Sequence, residues 1–394
     1  MATQIEKIPF KIKIFMLSLL IPTEYSFLFL GLRLSFYRML LLLFLFPVIS
    51  GFFGATKKHA TDKYVFLLSF WILCSMVYNH GEDGIKSGGI MVIETLIPYL
   101  LARVYIINSQ ILVSVVRFYL FLIFLCLLLT IPENLFGNNL LRGYRFMGSE
   151  ERLGLYRAFG PFDHPILLAV FCGLGLGLSK IIYSKGVIKQ VFIALASISA
   201  LSSIAFIMVA FQLLFLYIRK IRELSFKTYG ILFAIAYVVV DIISNRSPLN
   251  VFLSYLTLNP QTGYFRKMIW DYGLNNVFDN LFFGLGLNDW VRPEWMPPSV
   301  DSFWLLMTMR HGIPALLCLF MIMYYCIKRN RKGSENIIEY VKYFSLFSLT
   351  VSIAGLTVHF WNSAYVFIFF MIGANINLYL IDDEESNEII DNNY

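Results

Sequence analysis

The chain alternates apolar runs with short basic turns, and many of the runs approach the ~20 residues that cross a bilayer. Only two long polar stretches, 132–164 and 245–300, break this rhythm. That pattern leaves few architectures open. A soluble core of this length could not hide so many consecutive apolar residues, and in hydrocarbon every backbone amide must be satisfied within its own segment, which selects helices. Hydrophobic residues make up 58% of the chain and charged residues 14%, outside the usual soluble range. The 38 Phe and 23 Tyr suit spans and interfacial belts. The expected fold is an all-α polytopic membrane protein, a single integral membrane domain over 1–394 with about 12 transmembrane helices.

The expected spans are 10–32, 36–54, 64–79, 88–107, 111–131, 165–183, 187–201, 203–219, 228–244, 302–327, 339–358 and 361–381. Residues 187–219 read either as one long tilted helix or as two short ones, broken near Ser197, Ser199, Ser202 and Ser203. The first run has no small-residue cleavage site and leads directly into more membrane sequence, so no cleavable signal peptide is expected. All five cysteines (Cys74, Cys126, Cys172, Cys318 and Cys326) lie in apolar runs, which implies neither a disulfide framework nor a metal site. The net charge of +7 is spread in small clusters between spans, so it does not point to nucleic acid.

Those clusters set the orientation. Lys7, Lys11 and Lys13 open the first span, and Lys57, Lys58 and Lys63 follow the second. Arg103 closes the fourth, and Lys180, Lys185 and Lys189 surround the end of the sixth. Arg219 to Lys227 follow the eighth and Lys328 to Lys332 the tenth. With twelve spans all of these share the cytoplasmic side with both termini; counting 187–219 as one span would break that agreement. Both long loops, with Arg33 and Arg38, then face outward. An outward arginine pair beside apolar sequence either snorkels to lipid phosphate or meets an anionic substrate.

The first loop carries Arg142, Arg145, Glu150, Glu151, Arg152 and Arg157, then Gly160-Pro161-Phe162-Asp163-His164-Pro165. Its Pro steps force turns before a span, presenting Asp163 and His164 at the surface or using one of them as a helix cap. Guanidinium groups suit diphosphates through bidentate bonds. In the second loop Phe265, Met268, Ile269 and Tyr272 keep helical spacing, as on an interfacial helix or one packed under the loop. Gly284-Leu285-Gly286 follows, without the Lys of a phosphate-binding loop. Trp270, Trp290 and Trp295 are sugar-stacking platforms or interfacial anchors. The loop closes on Asp301-Ser302-Phe303-Trp304-Leu305, then Arg310-His311-Gly312. On one continuous helix Asp301 and His311 are about 15 Å apart along the axis, too far to share a proton unless Gly312 and Pro314 break the helix.

The order of these parts resembles the O-antigen polymerase and O-antigen ligase superfamily of membrane glycosyltransferases. The resemblance is carried by Pro22-Thr23-Glu24 with Gly31-Leu32-Arg33-Leu34-Ser35 and Arg38, and by Arg157-Ala158-Phe159-Gly160-Pro161-Phe162-Asp163-His164-Pro165. Arg266-x-x-x-Trp270, Gly284-Leu285-Gly286, Trp290, Asp301 to Leu305 and Arg310-His311-Gly312 complete it. It implies a GT-C-like helical enzyme of the bacterial inner membrane, with its active face periplasmic and no metal, nucleotide sugar or other cofactor. The implied partners are an undecaprenyl-diphosphate-linked oligosaccharide, membrane lipids, a chain-length regulator and a flippase. Where the ligases carry His followed by ten residues and Gly, this chain has Asp301 and Gly312, which favours a polymerase. The Arg-x10-Gly repeats frequent in polymerases are absent, and Ser202-Ser203 stand where many members have Ser-Arg.

The expected function is therefore a repeat-unit polymerase for O-antigen or exopolysaccharide. Arg157 and Arg266 would face the diphosphate, with Arg33, Arg38, Arg152 and Arg310 assisting, and Asp163, His164, Trp270 and Trp290 would bind substrate. Asp301, His311 and Glu294 are the candidate bases. A ligase to lipid A core is the nearer alternative. A lipid-linked oligosaccharide flippase is the more distant one, for which Glu94 would be the midplane residue.

Overall fold

The computed structural model describes residues 6–29, 31–142, 144–145, 151–184, 186–218, 260–328 and 334–391, with isolated positions between 228 and 242. Glu150, Lys185, the basic clusters 219–227 and 329–332, most of the expected span 228–244 with Asp241, and the second loop up to 259 lie outside the described residues, as do the side chains of the acidic tail.

The molecule is mostly helical and multi-pass. Among the described residues six segments are long and apolar enough to cross a membrane: Phe36–Gly54, Ala60–Tyr105, Ser109–Phe136, Pro165–Ile182, Phe303–Ile327 and Glu335–Ala354. The first expected span is corrected. Helix α1 (Phe10–Ser18) ends after nine residues, and Pro22 with polar Thr23 and Glu24 precedes an antiparallel hairpin of β1 (Ser26–Phe29) and β2 (Leu32–Ser35). At ~1.5 Å per residue, α1 is far short of the ~30 Å hydrocarbon core. Helix α2 (Phe36–Ala55) follows directly.

Expected spans 64–79 and 88–107 form the two arms of α3 (Ala60–Tyr105). Straight, that helix would be about 69 Å long. Instead Gly81 adopts φ 57°, ψ −131°, a conformation open essentially to glycine alone, and the chain turns back on itself. The reversal brings Asp62 to Arg103, 2.9 Å away, and Tyr99 also donates to that carboxylate. Arg103 is fully buried and donates further to Lys57 O and Asn377 Oδ1. Removing one partner of such a buried pair costs about 3–5 kcal/mol, so this clasp locks the arms at the lysine-rich end.

Helix α4 (Ser109–Phe136) leads to the first loop, whose short strands β3 (Asn138–Asn139), β4 (Tyr144–Arg145), β5 (Glu151–Arg152) and β6 (Leu155–Tyr156) pair as two small ladders. The next expected span is two consecutive helices, α5 (Pro165–Gly173) and α6 (Gly175–Ile182). Residues 187–219 form two helices, α7 (Val187–Ile198) and α8 (Ser203–Tyr217). They are antiparallel, since Tyr217 near the end of α8 donates to Gln190 near the start of α7. The intervening turn, with Leu201 at φ 45°, lies at the loop end of the molecule.

In the second loop α9 (Pro260–Asp279) carries the predicted apolar stripe. Ile269 and Val277 are buried with Trp290, Met296 and residues of α10 (Phe303–Ile327), so this stripe packs the loop rather than lying on the membrane. Helices α11 (Glu335–Ala354) and α12 (Asn362–Asp391) complete the bundle, with α12 against α3.

Helix α10 is broken at Gly312 (φ 75°). The carbonyls freed there are taken up: Leu285 N donates to Met309 O, Gly286 N to Arg310 O and Trp71 Nε1 to His311 O. The chain 281–286 can approach only because Gly312 and Gly284 lack side chains. A Cβ on Gly312 would sit 2.0 Å from Phe282 O, and one on Gly284 2.4 Å from the Arg310 carbonyl carbon. The Gly-Leu-Gly motif thus clasps a broken helix.

Candidate functional site

The polar side chains gather at the loop end in three groups. The first is built by the 22–38 hairpin, the 160–164 turn and the start of α12. Asp163 accepts from Thr23 Oγ1 and from Asn362 Nδ2, each at 2.6 Å. Asn362, held at φ 50°, also faces Arg38 and Tyr37 at 3.5 Å. Glu94 Oε1 accepts from Arg38 Nε and from the Tyr37 hydroxyl, both at 2.8 Å. Arg142, deeply buried, donates to both Glu24 oxygens and to the carbonyls of Gly160 and Phe162. Burial alone would raise the Glu24 carboxyl, but the hydrogen bonds and charge of Arg142 bring it below its ordinary value.

Arg38 is paired with Glu94, which is buried and joins α2 to α3. Asp163 is the hub joining three segments, with both oxygens in use. His164 caps α5, its Nδ1 accepting from Ile166 N at 3.2 Å. Arg33 remains exposed, held by Ser26 Oγ at 2.7 Å, and with Arg38 and Asn362 it lines a cleft of about 150 Å³.

The second group forms where the first loop meets the α7–α8 turn and α9. Arg152 donates to Leu201 O and Arg157 Nε to Ala200 O, at 3.2 and 3.4 Å. Arg266 is 6% exposed and its Nε has no hydrogen-bond partner among the described residues. Burial lowers the Arg266 guanidinium from its ordinary value; Asp301 opposes that and Arg152 adds to it, so the three lie within electrostatic reach. Burial raises the half-buried Asp301 above its ordinary 3.8, with Arg266 pulling the other way. Asp301 is not the cap of α10: Ser302 Oγ accepts from Leu305 N.

Beside this group lies an apolar groove of about 810 Å³ between α9, α10 and α11. Trp270 and Leu274 form its α9 wall, and it runs past Trp304 and Phe320 to Ile327. Arg266 stands one helical turn before Trp270, and Asp301 three residues before Trp304.

The third group centres on Arg310, which lines a cavity of about 220 Å³ under the second loop and has no hydrogen bond or ion pair among the described residues. His359 keeps some exposed surface but is closely surrounded; burial first, then Arg310, lower its imidazole to about 3. Its ring lies 5.3 Å from that of Trp361, which is 5.9 Å from His164. His359 and Asn362 were missed in the sequence, although His359-Phe360-Trp361-Asn362 is a polar interruption between two apolar runs.

The remaining candidates are His311, Trp290 and Glu294. His311 is fully buried. Its Nδ1 lies 3.2 Å from Ser75 Oγ, which has the Phe283 and Arg310 carbonyls to donate to, so Nδ1 is the donor and the buried Nε2 has no partner among the described residues. The break at Gly312 falls after His311, so Asp301 and His311 stay apart. Trp290 is buried in the loop core, donates to Pro298 O and lines the cavity that Arg310 also lines. Glu294 is exposed on a turn of the loop. Among the described residues no three His, Cys, Asp or Glu side chains are placed to hold a metal ion. No family model matches the chain, and no curated protein matches it at a meaningful level.

Proposed function

We propose that the protein is a repeat-unit polymerase that moves a growing glycan from a polyprenyl diphosphate onto a fresh lipid-linked repeat, working at the outer face of a bacterial inner membrane. The observation that carries this reading is Arg266: a buried guanidinium whose Nε has no partner among the described residues, within electrostatic reach of Arg152 and one helical turn before Trp270, which walls an apolar groove. A buried polar group without a partner is costly, about 1–3 kcal/mol, and is retained where a ligand completes it. A polyprenyl diphosphate has the matching parts, an apolar chain for the groove and an anion for the arginines.

In this reaction the acceptor hydroxyl attacks the anomeric carbon, the bond to the diphosphate breaks, and negative charge grows on the leaving group. Arg266, Arg152 and Arg157 are positioned to stabilise that charge without reorganising. Asp301, raised by its half-buried setting, accepts the hydroxyl proton. Arg310 and neutral His359 flank the acceptor side. On this reading the chain has about twelve spans in a GT-C-like arrangement, with both termini cytoplasmic and both long loops periplasmic. The test is purified protein supplied with a lipid-linked repeat. A ladder of products is expected; transfer to a lipid core would make it a ligase, and translocation without new bonds a flippase.

A further inference from the structure

At the opposite, lysine-rich end a groove of about 960 Å³ opens between α1, α4 and α7. Its rim carries Lys7, Lys13, Arg117 and Lys189, all exposed and none in an ion pair among the described residues. Lys13 and Lys189 only overhang aromatic rings, those of Phe118 and Tyr183. The single acid in the lining is Glu6, whose carboxylate accepts from Asn108 Nδ2 at 2.6 Å. Four cations against one anion leave a surplus of three positive charges around one opening.

Below the rim the chemistry changes abruptly. On α4, Arg117 is followed one turn on by Phe121 and two turns on by Phe124, on the same face. On α7, Lys189 is followed one turn on by Phe192 and Ile193. Phe121 and Phe192 are about half exposed, 50% and 45%, and line the groove. Charge at the mouth and aromatic hydrocarbon within about 6–10 Å along the helix axis reproduce the profile of one phospholipid molecule. Ser114, one turn nearer the mouth on α4, donates to Glu6 O at 2.7 Å and ties the N-terminal segment to the rim.

We infer that this groove is a specific site for an anionic phospholipid, its phosphate held by Lys7, Lys13, Arg117 and Lys189 and its acyl chains laid against Phe121, Phe124 and Phe192. Charge complementarity selects the anionic lipid over a zwitterionic one, and the apolar floor selects a lipid over a free anion. Basic pockets between helices at the cytoplasmic side of membrane proteins bind such headgroups. The site lies at the end of the molecule away from the arginine groups, so it goes beyond the proposed reaction and stands or falls separately from it.

The test is native mass spectrometry of the full-length protein after exchange into mixed phosphatidylglycerol and phosphatidylcholine. The wild type should retain phosphatidylglycerol preferentially. Each cation near an anionic headgroup contributes about fivefold, so the triple variant Lys13→Gln, Arg117→Gln, Lys189→Gln should lose roughly 100-fold in retention. A control variant, Lys63→Gln with Lys342→Gln, removes two other charges outside the groove and should keep the preference. A third variant, Phe121→Ser with Phe192→Ser, leaves the charges in place and should weaken retention while inorganic phosphate fails to compete. Thermal unfolding and gel filtration establish that each variant is folded. Equal retention of phosphatidylcholine, unchanged retention in the triple variant, equal loss in the control or displacement by inorganic phosphate would each overturn the site.

Discussion

Replacing Arg266 with Met keeps the length of the side chain and removes its charge, and the structure assigns opposite effects on stability and on chemistry. The guanidinium is 6% exposed with Nε unpaired, so its removal relieves about 1–3 kcal/mol of uncompensated desolvation. Against that stands the lost attraction to Asp301, which is half-buried and can take up water or a proton. Folding stability should therefore change by less than about 1 kcal/mol, or rise. The transition state loses much more. One unit charge about 4 Å from a developing phosphate charge, at an effective dielectric of about 20, contributes roughly 4 kcal/mol. Losing one such donor typically slows a reaction by about 10²–10³-fold. Chain extension in reconstituted vesicles, measured beside thermal unfolding, separates the two effects. Arg266→Lys should restore extension only in part, since it lacks the planar fork. Wild-type extension by Arg266→Met, or loss of extension accompanied by a large drop in stability, would refute the reasoning.

Asp301→Asn should lower extension at least about tenfold with the fold intact, whereas Ser302→Ala should cost about 1 kcal/mol of stability through the lost cap while activity survives; activity in Asp301→Asn equal to wild type removes it as base. Because Asp301 is raised above 3.8, the acid limb of the extension rate should lie above that value, and Arg266→Lys should leave it near the wild-type position, as a pH–rate profile would report. His359 has its folded pKa depressed from 6.5 to about 3, so the unfolded chain binds the extra proton and stability falls as pH drops through that window; His359→Gln should flatten the loss between pH 6.5 and 3 in thermal scans. With the five native cysteines replaced, a cysteine at Ser299 should react with an impermeant thiol reagent from outside spheroplasts and one at Ser334 should not; the reverse labelling would invert the molecule.

Much of this arrangement was legible from hydropathy, because transfer energy decides which segments are helical and buried. The two loops, the split of 187–219 and the break possible at Gly312-x-Pro314 were all visible. Hydropathy does not report chain direction, however. It counted 10–32 as apolar and missed that Pro22, Thr23 and Glu24 end a nine-residue helix before a β-hairpin. Pairings were equally hidden: Glu94 and Arg38 are 56 residues apart, and Asn362 meets Asp163 across 199. Those distances are set by packing between helices, which no local pattern encodes. The apolar stripe of α9 was read correctly as helical, yet which neighbour it buries against depends on α10. The motif around His311 gave no sign of its full burial or of its contact with Ser75, 236 residues away in sequence.

The most direct measurement of the central claim is product stoichiometry in reconstituted vesicles carrying only the purified protein and a polyprenyl-diphosphate-linked repeat. A ladder of lengthened glycans with equimolar release of polyprenyl diphosphate is expected from the wild type, and neither product from Arg266→Met. A ladder without released diphosphate, diphosphate released without new glycosidic bonds, or an intact substrate after incubation with the wild type would contradict it.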